Sequence, residues 1–365
     1  MDDVIDPNDQ NTFHKSQHAI AQLNELQVCR RLQVLEDQRQ KREEEWSYLK
    51  DLKRIVPHID ITQDSVDDQF RWEFSKNLMM SEWMMEEPED LEDFLLVPCP
   101  KGTRSTLIFD LPPEEPVGFL RRPKFMEKKP HLAKLYAKTG HKLLEVRTNI
   151  PPDTIIDCIY VKKIKTIYIL DCMKYDGRDM TNCDTAFRRY WIGSKFYECR
   201  LGITDIRVPK NELKLDFLEG YDFKQPHRVH HCFQRMPYFE DFAELDGYLF
   251  YHKDCSYTPG ESPLVLWLFP FMVDEVLTMF RVHKDYNSFK PDNYTNYIEY
   301  IEKFNVKKEE KNKKRFKNKK RSQDDDKPKN QVGSSNEMSF EDDNTPCGSK
   351  RILKRNDRFD EDFIK

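Results

Sequence analysis

From about residue 75 to residue 285 the chain is a succession of short apolar, β-branched and aromatic runs separated by turn residues. LLVPCP, TLIFDL, TIIDCIY, TIYILDCM, FRRYWIG, GYLFYHK and PLVLWLF each have the length and residue preference of a strand. LAKLYAKTG and FMVDEVLTMF read instead as short helices or turns. Strands this closely spaced leave no room for a helix after each one. They predict an antiparallel-rich α+β domain rather than alternating βα units.

The flanks have a different texture. Over residues 1–65, Ile20, Leu23, Leu26, Leu32 and Leu35 recur at roughly helical spacing, and Trp46, Leu49 and Leu52 continue the pattern. This arm contains no glycine, and its prolines, Pro7 and Pro57, sit near its ends. Pro57 is expected to close it. Residues 286–365 turn polar, with VKKEEKNKKRFKNKKRSQDDDKPKN followed by a Ser/Asn/Asp-rich stretch. That composition predicts a solvated, disordered tail, in which FDEDFIK could serve as a short linear motif.

Charge limits the partners. Sixty Lys and Arg against 65 Asp and Glu leave a formal net charge of −5. A protein that tracks a long nucleic-acid backbone draws its affinity from neutralised phosphates and carries a basic face. The balance argues against that mode, but not against a pocket for one or two nucleotides. No run approaches 18 apolar residues and the first residues are acidic, so neither a membrane helix nor a signal peptide is expected. The nine scattered cysteines suit reduced thiols in cytosol or nucleus.

Three motifs carry candidate chemistry. Trp267, in ESPLVLWLFP, offers a π face suited to a methylated guanine, whose delocalised positive charge adds cation–π attraction to stacking. By composition alone, a tryptophan inside an apolar strand is a core residue. KYDG, Lys174 to Gly177, has the K-x-D-G form of nucleotidyltransferases, whose lysine attacks an α-phosphate, and LDGYLF resembles their metal-holding carboxylate motif. Those enzymes also need lysines beside a later tryptophan, whereas Trp267 is flanked by Leu266 and Leu268. KYDG otherwise reads as a hairpin with Asp176 and Gly177 at its tip. HRVHHC, with His227, His230, His231 and Cys232, lacks a second ligand pair at zinc spacing; no metal or cofactor is expected.

Several blocks, in order, resemble the snurportin family: NLMMSEWMMEEPEDL, CPKGTR, LYAKTG, TIIDCIYVKKIKTIYILDCMKYDG, FRRYWIGSK and LDGYLFYHKDCSYTPGESPLVLWLFPFMVDEVL. PPEEPVGFLRRPKFMEKKP looks like an insertion between them. The resemblance implies a trimethylguanosine-cap-binding domain over 75–285, similar in fold to the nucleotide-binding domain of mRNA capping enzymes, and no catalysis. It implies a function too: recognising the cap of spliceosomal small nuclear ribonucleoproteins and linking them to an import receptor, with an exportin returning the adaptor from nucleus to cytoplasm. Trp267 falls on the tryptophan that stacks on the cap base. Met80, Ser81, Trp83 and Cys99 fall on the pocket wall, Thr103, Arg104 and Ser105 on the segment after CPxG, and Lys138 beside the cap phosphates. Thr103 departs from the basic residue common there. The alternatives are a guanylyltransferase-like enzyme using Lys174 and a general cap-binding protein without a transport role.

The family carries a strongly basic importin-β-binding helix at its amino terminus. Here residues 14–54 hold nine bases and seven acids, a net of only +2, with an EEE run inside. Electrostatic steering into an acidic groove would be weak. That argues against importin-β and leaves another importin open, with KKRFKNKKR (313–321) as a substitute signal. The other reading of the arm is a charge-paired helix packed on another protein or on the cap domain.

Overall fold

A computed structural model describes residues 24–42, 77–109, 131–199, 203–205, 213–241, 243–308 and 310. Helix α1 spans 24–42. The described residues then form thirteen strands: β1 (Met79–Trp83), β2 (Phe94–Pro100), β3 (Thr103–Phe109), β4 (His131–Ala137), β5 (Lys142–Thr148), β6 (Ile155–Val161), β7 (Thr166–Tyr175), β8 (Arg178–Asp179), β9 (Ile203–Asp205), β10 (Lys214–Phe217), β11 (Tyr221–Asp222), β12 (Leu245–His252) and β13 (Gly260–Leu268). Helix α2 (Thr185–Cys199) follows β8, and α3 (Pro226–Gln234) precedes β12.

The strands form two sheets, ordered β1-β13-β12-β2-β11 and β10-β7-β6-β3-β4-β5-β9, with β8 paired to β7. Among the described residues, only the β1–β13 and β10–β7 pairs are parallel. The antiparallel-rich α+β architecture is the one the strand spacing predicts. The chain crosses between sheets at Lys101-Gly102, where a Cβ on Gly102 would lie 2.8 Å from Tyr160 O. Such close backbone approach admits only glycine.

Sheet two packs its apolar face into a core that includes Leu107, Leu135, Ile156, Ile167 and Ile169. Helix α2 adds Ile192, Trp191 and Phe196 to that core. FRRYWIG, expected as a strand, is therefore helical. Asp184 caps the helix by accepting from Phe187 N at 2.7 Å. Tertiary burial of one helical face overrides the β preference of its aromatic residues. The reverse holds for LAKLYA, which forms β4 with Ala133, Leu135 and Ala137 buried at alternate positions. HRVHHC forms helix α3, and Val229, Cys232 and Phe233 are its inward face.

Only the first part of the tail is described. Residues 297–308 form helix α4, in a second compact unit that starts at Thr295. Asn296 Oδ1 accepts from Glu299 N at 2.9 Å, an N-cap, and Lys303 pairs with Glu299 at 3.0 Å. The insertion, the 313–321 basic run and FDEDFIK lie outside the described residues.

Candidate functional site

The residues singled out by motif meet where the edge of sheet one reaches sheet two. Strand β1 carries Met80, Ser81 and Trp83, β13 carries Trp267, β2 carries Cys99, and β3 carries Thr103, Arg104 and Ser105. Ser81 stands opposite Ser262 and Trp83 opposite Trp267 in the β1–β13 pair. The Trp267 ring lies against Gly247, where an added Cβ would come within 2.4 Å of Cζ2. Gly247 in turn pairs with Cys99. Lys138, just after β4, donates its backbone N–H to Arg104 O at 2.9 Å. All nine positions thus belong to one connected region.

Most of that region is enclosed. Trp267, Cys99 and Ser105 have no exposed surface, and Met80, Ser81, Trp83 and Arg104 are buried. Thr103 and Lys138 are half-buried. Phe269 packs against both tryptophans, with ring centroids 5.6 Å from Trp83 and 5.9 Å from Trp267. Burial, opposed by Arg104, pushes the Cys99 thiol up to about 12. It is a neutral wall, not a nucleophile. Two buried atoms, Ser81 Oγ and Trp267 Nε1, have no hydrogen-bond partner among the described residues. Leaving such a group unpaired costs about 1–3 kcal/mol. Both are able to donate to a polar ligand.

Arg104 reaches inward. Its Nε and Nη2 both donate to Asp157 at 2.6 Å. Beside this pair, Arg188 binds Asp171 with Nε at 3.0 Å and Nη2 at 2.8 Å. No motif marks Asp157, Asp171 or Arg188 as site neighbours; their signal is a charge inside an otherwise apolar run, since such charges need a buried partner.

KYDG is a hairpin. Lys174 pairs with Asp179 and Tyr175 with Arg178, around Asp176 at φ 51° and Gly177 at φ 77°. Two positive φ values in a two-residue loop are the geometry that Asp-Gly favours. The Lys174 ammonium binds Asp153 at 2.7 Å. In HRVHHC, His227, His230 and His231 are exposed and Cys232 is buried.

Helix α1 lies on the same edge of sheet one, polar face inward. Gln27 Nε2 donates to Glu82 at 3.0 Å and to Trp83 O at 3.2 Å, and Arg30 also pairs with Glu82. Arg31, 3% exposed, binds Asp90 at 3.1 Å and sits 5.7 Å over the Phe94 ring. Farther along, Gln38 accepts from Ser256 N at 2.9 Å, and Arg42 donates to Ser256 Oγ at 3.1 Å. Leu26 and Leu32 of the expected apolar stripe face outward. Of the two readings of the arm, the described part shows a helix packed on this domain.

The body is a two-sheet α+β domain with an aromatic cluster and two unpaired buried donors at the sheet edge. Residues 77–270 match the family described as Snurportin1, m3G cap-binding domain, which is more than half of the chain. The chain belongs to the snurportin family, and its central domain is an m3G-cap-binding domain. Among solved structures, it is similar to the ligase domain of M. tuberculosis LigD, with 10% identity over 54% of this chain and 60% of that one, at a TM-score of 0.31. Lig E DNA ligases match with 8% identity over 53% of this chain and 68% of theirs, at 0.29. The structure titled Pmar-Lig_PreS3 matches with 9% identity over 56% and 50%, at 0.30. Scores this low assign neither fold nor activity.

Proposed function

We propose that this protein holds the trimethylguanosine cap of small nuclear ribonucleoproteins and links them to an import receptor, shuttling between cytoplasm and nucleus with an exportin for its return. The observation that carries the cap site is the union of Ser81, Trp83, Cys99 and Trp267 around two buried donors without partners. In this reading Trp267 stacks on the base, Met80, Ser81, Trp83 and Cys99 form the wall, and Thr103, Ser105 and Lys138 face the sugar-phosphate end. Since Trp267 is enclosed, stacking requires a covering side chain to swing away. Binding proceeds without chemistry: Lys174 is tied to Asp153, and hydrophobic neighbours flank Trp267.

The docked arm bears on transport. Arg30, Arg31 and Arg42 are bound to the cap domain, so an import receptor that takes α1 has to displace those contacts. Together with the weak net charge of the arm, this supports a receptor other than importin-β.

The test is binding of trimethyl and monomethyl cap dinucleotides to the full chain, with Trp267→Leu as the site control. Tighter binding of the trimethyl cap, reduced in the variant, is expected; equal affinity for both caps would sink the cap reading. Incubation with GTP and a divalent metal is expected to leave no lysine–GMP adduct. For transport, capture of importin-β by the full chain is expected to fail while import of capped cargo in permeabilised cells succeeds.

A further inference from the structure

By resemblance Arg104 belongs among the cap contacts, but its guanidinium is committed elsewhere. Besides its two bonds to Asp157, Nη2 reaches Met79 O at 3.3 Å. Tyr257 Oη donates to Asp157 Oδ2 at 2.8 Å and accepts from Met79 N at 3.2 Å. Both backbone groups of Met79 are therefore held by side chains, and those side chains are held by one another. Arg104, Asp157 and Tyr257 are 3%, 0% and 4% exposed.

The strand they hold needs fixing. Among the described residues β1 lies at the edge of sheet one and pairs with β13 alone, with a register break between Ser81 and Glu82. Edge strands and bulges specify register weakly by backbone pairing alone. Ser81 follows Met79 by two residues, on the same face of the strand, and Trp83 lies just beyond the register break. Arg104 and Asp157 sit on β3 and β6 of sheet two, so the contacts also set the distance between the two sheets at the site.

We propose that Arg104, Asp157 and Tyr257 form a clamp on Met79 that positions Ser81 and Trp83 in the cap site, and that Arg104 acts through this clamp rather than on a cap phosphate. The proposal rests on the cap reading above for its consequence, though not for its geometry. Arg104, Asp157 and Tyr257 are positioning residues. A charge that touched phosphate would contribute to the salt dependence of binding; a clamp does not.

The experiment uses the full chain with Tyr257→Phe, which keeps the ring and loses both hydroxyl bonds, and Arg104→Lys, which keeps charge and loses the fork. Amide exchange is followed at residues 79–83, and affinity for the trimethyl cap dinucleotide at several salt concentrations. Both variants are expected to speed exchange in β1 and weaken cap binding about tenfold, with the salt slope unchanged. Unchanged exchange in β1 would overturn the clamp. Faster exchange with unaltered cap affinity of the folded chain would make the clamp structural only and overturn its role in the site. Weakening confined to Arg104→Lys, with an altered salt slope, would return Arg104 to direct contact. Should the unmodified chain bind no cap, the cap reading fails by itself, and the exchange data still decide whether Met79 is clamped.

Discussion

Trp83 and Trp267 stand opposite one another in the parallel pairing of β1 with β13, and the Phe269 ring touches both. The residue proposed to stack on the cap is thereby built into an aromatic cluster with no surface of its own. If Trp267 also stacks on the cap as proposed, one side chain serves recognition and stability, which determines how its substitution will read.

Trp267→Leu is expected to lose both. Truncating a buried aromatic costs about 3–5 kcal/mol at the extreme of alanine, less for leucine, and loss of a base stack costs about 1–3 kcal/mol of binding. Denaturant unfolding and cap titration measure the two separately. Iodide is expected to quench Trp267 poorly in the free chain; ready quenching would show the indole exposed in solution.

Gly247 forms the seat of that indole. A methyl there would lie 2.4 Å from Trp267 Cζ2 and 2.6 Å from Leu268 O, and neither strand can yield freely. Gly247→Ala should destabilise by about 1–3 kcal/mol through overpacking. It should also weaken cap binding, because the ring must move. Thermal unfolding with and without cap dinucleotide checks both.

Removing the Arg31 anchor should loosen the arm without unfolding the body. Arg31→Ala loses the Asp90 ion pair and the Phe94 contact, worth about 1–2 kcal/mol together. Limited proteolysis is expected to cut within 24–42 sooner in the variant, while the cap domain stays intact. Equal cutting rates would mean that the docked arm is held by other contacts.

Acid should weaken the fold at His252. Burial lowers the imidazole below its usual 6.5, against the pull of Asp90, Asp254 and Asp93. The ring packs edge-on against Phe94 at 5.1 Å, and Nδ1 accepts from Asp254 N at 3.2 Å. The unfolded chain takes up the proton first. The contribution is therefore present above pH 6.5 and lost as pH falls toward the lowered folded value. Melting temperature is expected to drop from about pH 7.5 to about pH 5.5, and less so in His252→Gln.

Six of the seven strand runs could be read from sequence because period-two burial and turn chemistry are local. The Asp176-Gly177 hairpin was legible for the same reason: its two positive φ values belong to that dipeptide. FRRYWIG and LAKLYA differ from their sequence readings because so short a run rich in aromatics, or in Ala and Leu, satisfies both periods. Which one holds depended on burial against β7 for the first and on pairing with β3 and β5 for the second.

By itself, the sequence determined the strand-rich body, the polar flanks and, through its ordered motif blocks, the family. Tertiary structure decided where the charged side chains turn. Arg104 and Asp157 are 53 residues apart and Arg31 and Asp90 are 59 apart; no local pattern encodes either pair. A buried charge takes whichever partner the fold brings within hydrogen-bonding distance, because going unpaired in a low-dielectric interior costs more than any local preference supplies. For Arg104 that partner is Asp157, and for Arg31 it is the edge of the cap domain.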